Sequence, residues 1–173
     1  RAKVHAYAQI TVMSNSSAFG MYQDNLLAIQ TGSDSLNLRA KHVVMATGAF
    51  EVPHQFENND LPGIMLTSGA LRLARLWGIA PGKKAIVTTK DDSGYWAARN
   101  LADAGIAVSA VLDVRLEPDS SLVDLVRAAN IEAFAGQTVL SARGTKRVKS
   151  IIVASASGGT RDIACDLICM SGE

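Results

Sequence analysis

The sequence predicts an α/β fold: a parallel sheet with helices, accompanied by antiparallel meanders. Three observations carry that prediction. Residues 84–112 read as strand, helix, strand, the order and length of a βαβ unit with parallel strands. Two short runs, 42–48 and 166–170, hold mostly consecutive apolar residues, which suits strands buried on both faces. Each run follows a series of short strands broken by turn residues.

Along the chain, residues 3–12 read as a short strand. Residues 18–22, 26–31 and 36–39 form a first meander, with Gln23-Asp24-Asn25 and Gly32-Ser33-Asp34 as its turns. The buried run 42–48 follows. Residues 50–66 carry Pro53, Asn58, Asn59, Asp60, Pro62 and Gly63 and read as a linker or ordered loop. Leu71, Ala74 and Arg75 stand at helical spacing within 67–76, and Gly78 is a C-terminal stop. A strand at 84–89 leads to a helix over 93–104, with Asp92 as N-cap and Gly105 as stop. A strand at 107–112 comes next. A helix over 122–130 follows its cap Asp119-Ser120-Ser121, and 131–134 is a short strand. A second meander occupies 138–142, 148–154 and 160–164, and the run 166–170 ends in Ser171-Gly172. Residues 18–48 and 142–172 share this layout, an internal repeat of pattern rather than identity.

This order is that of a Rossmann-like FAD/NAD(P)-binding fold with β-meanders, read as two tandem dinucleotide-binding domains. Residues 1–61 are the C-terminal part of a truncated first domain plus a linker. Residues 62–164 are a nearly complete second domain, and 165–173 read as a return strand to the first. Strand-like segments stand at both termini, so the chain is expected to be a fragment of a longer polypeptide.

The 173 residues are 48% apolar and 19% charged, enough to build a core and contrary to disorder. Formal net charge is +1, from 17 basic and 16 acidic residues in no block of like charge. Neither nucleic acid nor membrane is therefore an expected partner. No run approaches the roughly 18 apolar residues of a spanning helix. Cys165 and Cys169 cannot make a disulfide framework, so a reducing, cytoplasmic setting is expected. Four apart in a strand, they would share one face and read as buried core thiols. His5, His42 and His54 have no metal-ligand spacing, and no metal site is expected. No residue reads as a general acid, base or nucleophile, so no catalytic residue is assigned.

The residues nearest to chemistry end the two apolar runs. In Ala46-Thr47-Gly48-Ala49, small side chains let backbone approach a nucleotide, and glycine permits unusual dihedrals. Ligands bind such folds at the C-terminal edge of the parallel sheet. Glu51 and Pro53 follow, and the pattern returns as Ser171-Gly172. Ala46, Thr47, Gly48, Ala49, Ser171 and Gly172 are the candidate cofactor-binding residues, the alternative being a plain strand-to-turn exit. The second-domain turn should read G-x-G-x-x-G, but its window is Thr89-Lys90-Asp91-Asp92-Ser93-Gly94. Only the third glycine, which permits close helix–strand packing, is present. Asp91 and Asp92 put negative charge where a pyrophosphate would meet a helix N-terminus. Asp113 stands where a ribose-binding acid belongs. The charge argument favours a retained fold with a lost site over an NAD-type site.

The chain resembles two-dinucleotide-domain flavoproteins of the thioredoxin reductase type, without their C-x-x-C. It is more similar to the alpha subunits of heterotetrameric sarcosine oxidases. The stretches that carry this are Ser17-Ala18-Phe19-Gly20-Met21-Tyr22, Ala46-Thr47-Gly48-Ala49-Phe50-Glu51-Val52-Pro53, Asn58-Asn59-Asp60-Leu61-Pro62-Gly63-Ile64-Met65, Asp92-Ser93-Gly94-Tyr95 and the terminal 166–172. The resemblance implies a parent subunit with NAD in its first dinucleotide fold. It also implies a complex holding FAD in the beta subunit, FMN between the subunits, and tetrahydrofolate in a further alpha-subunit domain. The partners would be the other subunits, one of which binds the small amine substrate. The resemblance leaves open whether the fragment itself holds a cofactor, and implies no oxidase activity for it alone. Alternatives are an alpha-like subunit of an opine oxidase, hydrogen cyanide synthase or dye-linked proline dehydrogenase, and a non-catalytic interaction module.

Overall fold

The structure, a computed structural model, describes residues 7–172. It divides into two compact units, Arg1–Gly48 and Ala49–Glu173. In the first, strands β1 (Ser16–Tyr22), β2 (Leu26–Thr31) and β3 (Asp34–Arg39) pair antiparallel in that order. Asp24 and Asn25 take positive φ values of 58° and 54°, which turns β1 back onto β2. Leu27 stands opposite Met21 on one side and Leu38 on the other. The expected strand at 3–12 lies partly outside the described residues, and residues 7–13 form no strand. Residues 42–48 also form no strand. Val44 is 87% and Met45 67% exposed. An apolar run becomes a buried strand only where neighbours supply hydrogen bonds along both edges, and β3 pairs with β2 alone.

The second unit has three layers. The middle layer is a parallel sheet of β4 (Ile64–Leu66), β5 (Lys84–Thr89), β6 (Ala107–Asp113), β7 (Glu132–Phe134) and β11 (Leu167–Ser171), in the order β4-β11-β5-β6-β7. Helices α1 (Thr67–Trp77), α2 (Ser93–Asp103) and α3 (Ser120–Arg127) cover one face. The meander β8 (Gln137–Gly144), β9 (Val148–Ser155) and β10 (Thr160–Ala164) covers the other. Strand alternation divides the core accordingly. Ala85, Val87, Leu167 and Cys169 pack with Ala70, Tyr95, Ala98, Leu101 and Val126 on the helix side. Ile86, Leu112, Ile168 and Met170 pack with Val139, Ile151 and Val153 on the meander side. All of these except Val139 and Met170 are essentially fully buried. Each contributes about 1.5–3 kcal/mol if aliphatic and large.

Residues 165–173 were expected to return to the first domain. The sheet instead places β11 between β4 and β5, in register Ile168 to Ile64 and Leu167 to Ala85. Its consecutive apolar residues require partners on both edges and cover on both faces, and this position supplies all four. The strand β4 was read from sequence as loop. Three residues between Gly63 and a helix are too short a run to show periodicity. Cys165 and Cys169 do not share a face. Cys169 packs toward the helices and Cys165 toward the meander. The strand begins only at Leu167, so alternation does not reach back to Cys165.

Gly94 shows why the third glycine of the turn is kept. A Cβ there would overlap the Thr89 side chain outright. Gly94→Ala is expected to lower stability by about 1–3 kcal/mol, read as a fall in the urea midpoint. Burial pushes both thiols up to about 12. A thiol reagent at pH 8 is therefore expected to label neither cysteine in the folded chain and both after unfolding. Rapid labelling of folded protein would contradict this burial.

Candidate functional site

Helices α1, α2 and α3 each start just beyond the C-terminal end of a sheet strand, so their free N–H donors gather at that edge. A helix N-terminus carries partial positive charge and suits an anion. In this chain the anions are its own carboxylates. Glu51 Oε2 accepts the Ser68 N–H of α1 at 2.8 Å. Asp91 Oδ1 accepts the Ser93 N–H of α2 at 2.9 Å, and the Ser93 hydroxyl donates to the same oxygen. Asp119 Oδ1 accepts the Ser121 N–H of α3 at 2.8 Å and its hydroxyl at 2.7 Å. Asp119 was the expected cap. Asp92 was expected to cap α2 but makes no such bond, because its backbone is already helical (φ −71°, ψ −22°). A capping side chain works from an extended backbone.

Asp92 instead joins a charged cluster at the end of β6. The Asp113 carboxylate is fully buried and accepts from Arg115 Nε (3.2 and 3.1 Å), Arg115 Nη2 (2.8 Å) and the Arg115 backbone N–H (2.9 Å). Arg115 Nη1 reaches Asp92 Oδ1 at 2.7 Å. These hydrogen bonds, to Asp113 first and then to Asp92, raise the Arg115 pKa despite partial burial. The Tyr95 hydroxyl is buried in the same cluster. Burial raises its pKa, and the Asp113 charge adds to that.

The sequence-predicted site residues fall in two groups. Ala46, Thr47 and Gly48 belong to the first unit. There Ala46 and Thr47 line an apolar groove with Phe19, Met21, Leu27 and Val44, and Gly48 takes φ +78°. Ala49, Ser171 and Gly172 belong to the second unit. Ser171 is 1% exposed and its hydroxyl shares a 2.8 Å hydrogen bond with that of Ser93. The Gly172 carbonyl accepts the Val52 N–H at 2.9 Å, and the Lys90 stem lies where a Gly172 Cβ would point. Ser171 and Gly172 thus sit beside the α2 N-terminus. His54, Thr88, Lys90 and Arg115 also stand at this edge and were missed. Arg115, two residues after Asp113, was the one readable signal.

A dinucleotide does not fit the β5–α2 turn. Its pyrophosphate would meet the Asp91 carboxylate, which already takes the Ser93 N–H. The first two glycine positions carry the Thr89 and Asp91 side chains, and the Thr89 hydroxyl holds the turn by bonds to Asp91 O (2.8 Å) and Asp91 N (3.2 Å). A ribose would need Asp113, whose two oxygens face Arg115. Among the described residues no group of three or more His, Cys, Asp or Glu side chains could hold a metal. No helix among them is long and apolar enough to cross a membrane.

Removing the guanidinium would strand a buried charge. Arg115→Met is expected to cost about 3–5 kcal/mol in urea unfolding. The double variant Asp113→Asn with Arg115→Met is expected to lose less, since no unpaired charge remains. Equal losses would show that the cluster is not coupled.

No protein-family model matches the chain. Three curated relatives are named sarcosine oxidase subunit alpha. That of Corynebacterium sp. (strain P-1) is 30% identical over 88% of this chain and 17% of the relative. The chain therefore spans less than a fifth of the relatives' length. Among solved structures, T. acidophilum thioredoxin reductase matches with a TM-score of 0.60 at 17% identity, covering 88% of this chain and 50% of that one. A FAD-dependent pyridine nucleotide-disulphide oxidoreductase from Desulfovibrio vulgaris matches with a TM-score of 0.56 at 18% identity, covering 92% and 43%. By sequence the chain is a relative of the alpha subunit of sarcosine oxidase, and it has the Rossmann-like α/β fold with β-meanders that these solved structures share.

Proposed function

We propose that this chain is the nucleotide-domain scaffold of a sarcosine oxidase-type alpha subunit, a cytoplasmic component of a larger complex. In this reading the complex oxidises sarcosine with oxygen and water to glycine, formaldehyde and hydrogen peroxide. With tetrahydrofolate as acceptor, the one-carbon product is methylene-folate. A partner subunit binds the amine and FAD, and FMN lies between subunits. NAD occupies the first dinucleotide fold of the parent subunit, where Ala46, Thr47, Gly48 and Ala49 are the residues proposed to approach it. Residues 1–61 would belong to that first fold. Ser171 and Gly172 act structurally, holding the α2 N-terminus and the Lys90 stem.

One observation carries the scaffold reading: the Asp91 carboxylate sits on the Ser93 N–H and hydroxyl at the α2 N-terminus, where a pyrophosphate would bind. The likeness to sarcosine oxidase alpha subunits supports the identity of the parent. The test is a fluorescence titration of the purified chain with NADH, alongside a peroxide assay with sarcosine. No saturable binding and no sarcosine-dependent peroxide are expected. Stoichiometric NADH binding that Lys90→Gly or Asp91→Lys alters would overturn the scaffold reading. Peroxide formation by the chain alone would overturn the division of labour.

A further inference from the structure

A second cleft opens at the same sheet edge, on the meander side. Four separate segments form it: His54, Gln55 and Phe56 from the loop before β4, Thr88 and Lys90 at the end of β5, Val114 after β6, and Thr138 and Val139 of β8. Its volume is about 270 Å³. That equals roughly nine bulk waters and falls just below the usual range of small-molecule pockets, so it suits a small compound and not a dinucleotide.

The wall is held in place before any ligand arrives. The loop is tied to the sheet by Val52 N–H to Gly172 O at 2.9 Å, and to the meander by Glu57 N–H to Leu140 O at 3.0 Å and Ala142 N–H to Glu57 O at 2.8 Å. Asn58 Nδ2 donates to Ala142 O at 3.0 Å and Asn59 Nδ2 to His54 O at 2.9 Å. The His54 ring sits on the Thr88 hydroxyl at 3.2 Å. Its pKa is lowered, by burial first and by Lys90 too, against the backbone of Ser171 and the charge of Asp91. The imidazole is thus neutral at neutral pH.

The lining chemistry is one-sided. Phe56, Val114 and Val139 supply apolar surface. Lys90 supplies a positive charge, and Gln55, Thr88 and Thr138 supply polar groups. Among the described residues no carboxylate lines the cleft. The nearby Asp91 carboxylate is engaged with Ser93. The Lys90 stem is steered by Gly172, because any side chain there would collide with it. Lys90 makes no ion pair among the described residues. A cation over apolar walls, at the carboxyl ends of parallel strands, is an arrangement for an anion with a hydrophobic body.

We propose that this cleft binds a small organic monoanion with an aryl or branched apolar group, its carboxylate paired with Lys90 and its body against Phe56, Val114 and Val139. The site opens on the meander side of the closed β5–α2 turn, which contributes Lys90 to it, and does not depend on the scaffold reading. The probe is benzoate, titrated into the ¹⁵N-labelled chain and followed by amide chemical shifts, with benzamide as its uncharged counterpart. Saturable shifts grouped on His54, Thr88, Val114 and Thr138 are expected. Benzamide and the Lys90→Met variant are each expected to weaken affinity at least fivefold, and Lys90→Arg to keep it. Lys90 is exposed, so the variants should retain the wild-type thermal midpoint. Absent saturation, equal affinity for benzamide, or shifts centred elsewhere would each overturn the proposal.

Discussion

The second unit depends on one tight junction at Asp166. Its carboxylate accepts the Lys83 N–H at 2.8 and 3.0 Å and the Lys84 N–H at 2.7 Å. Its carbonyl takes Arg147 Nε, while Arg147 Nη2 bonds the Pro81 carbonyl. Two glycines make the approach possible. A Cβ at Gly63 would stand 2.7 Å from the Asp166 carbonyl, and one at Gly82 would stand 2.6 Å from Leu167 Cβ. Gly63 also takes φ +97°, which glycine adopts without strain. Through this junction three remote segments, 62–66, 81–85 and 165–168, align as neighbouring strands. The parallel register of β4, β11 and β5 follows from it, and so do both core faces.

The opposite edge of the sheet is organised by internal charge. Each helix starts on a carboxylate of the same chain, so the partial positive charges that a parallel α/β fold concentrates there are already neutralised. The contribution of each such contact is modest, about 0.3–1 kcal/mol. Their chemical effect is larger, because each puts a negative charge and takes up one N–H where a phosphate would bind. Arg115 does the same for Asp113 with the sign reversed, turning a free acid into a closed ion pair. An edge built for ligands is thereby converted into a hydrogen-bonded surface, and the open volume lies under the meander instead.

The alternation of 84–171 made most of this unit legible. The βαβ order, both helix stops and the second meander follow from residues near in sequence. What the sequence concealed is non-local. Glu51 caps a helix that begins at Thr67, which no local motif announces. Residues 42–48 and 166–170 look alike as apolar runs, yet only the second finds strands on both sides. The exchange of roles between Asp91 and Asp92 turns on one backbone dihedral, which composition does not encode. His54 and Lys90 come to one cleft at the end of β5, His54 on Thr88 and Lys90 beside Gly172, and spacing along the chain gives no hint of it.

The central place of β11 has a consequence for the order in which the protein can assemble. Its strand partners β4 and β5 precede it in the chain by about a hundred and about eighty residues. During synthesis on the ribosome, the slot between them stays open while the helices and the meander emerge. The facing hydrogen-bond edges of β4 and β5 and the apolar undersides of both outer layers remain unfilled in that interval. Nascent chain in this state is a substrate for chaperones and for mispairing with other strands. Completion of the sheet is then a single late insertion that locks both layers at once.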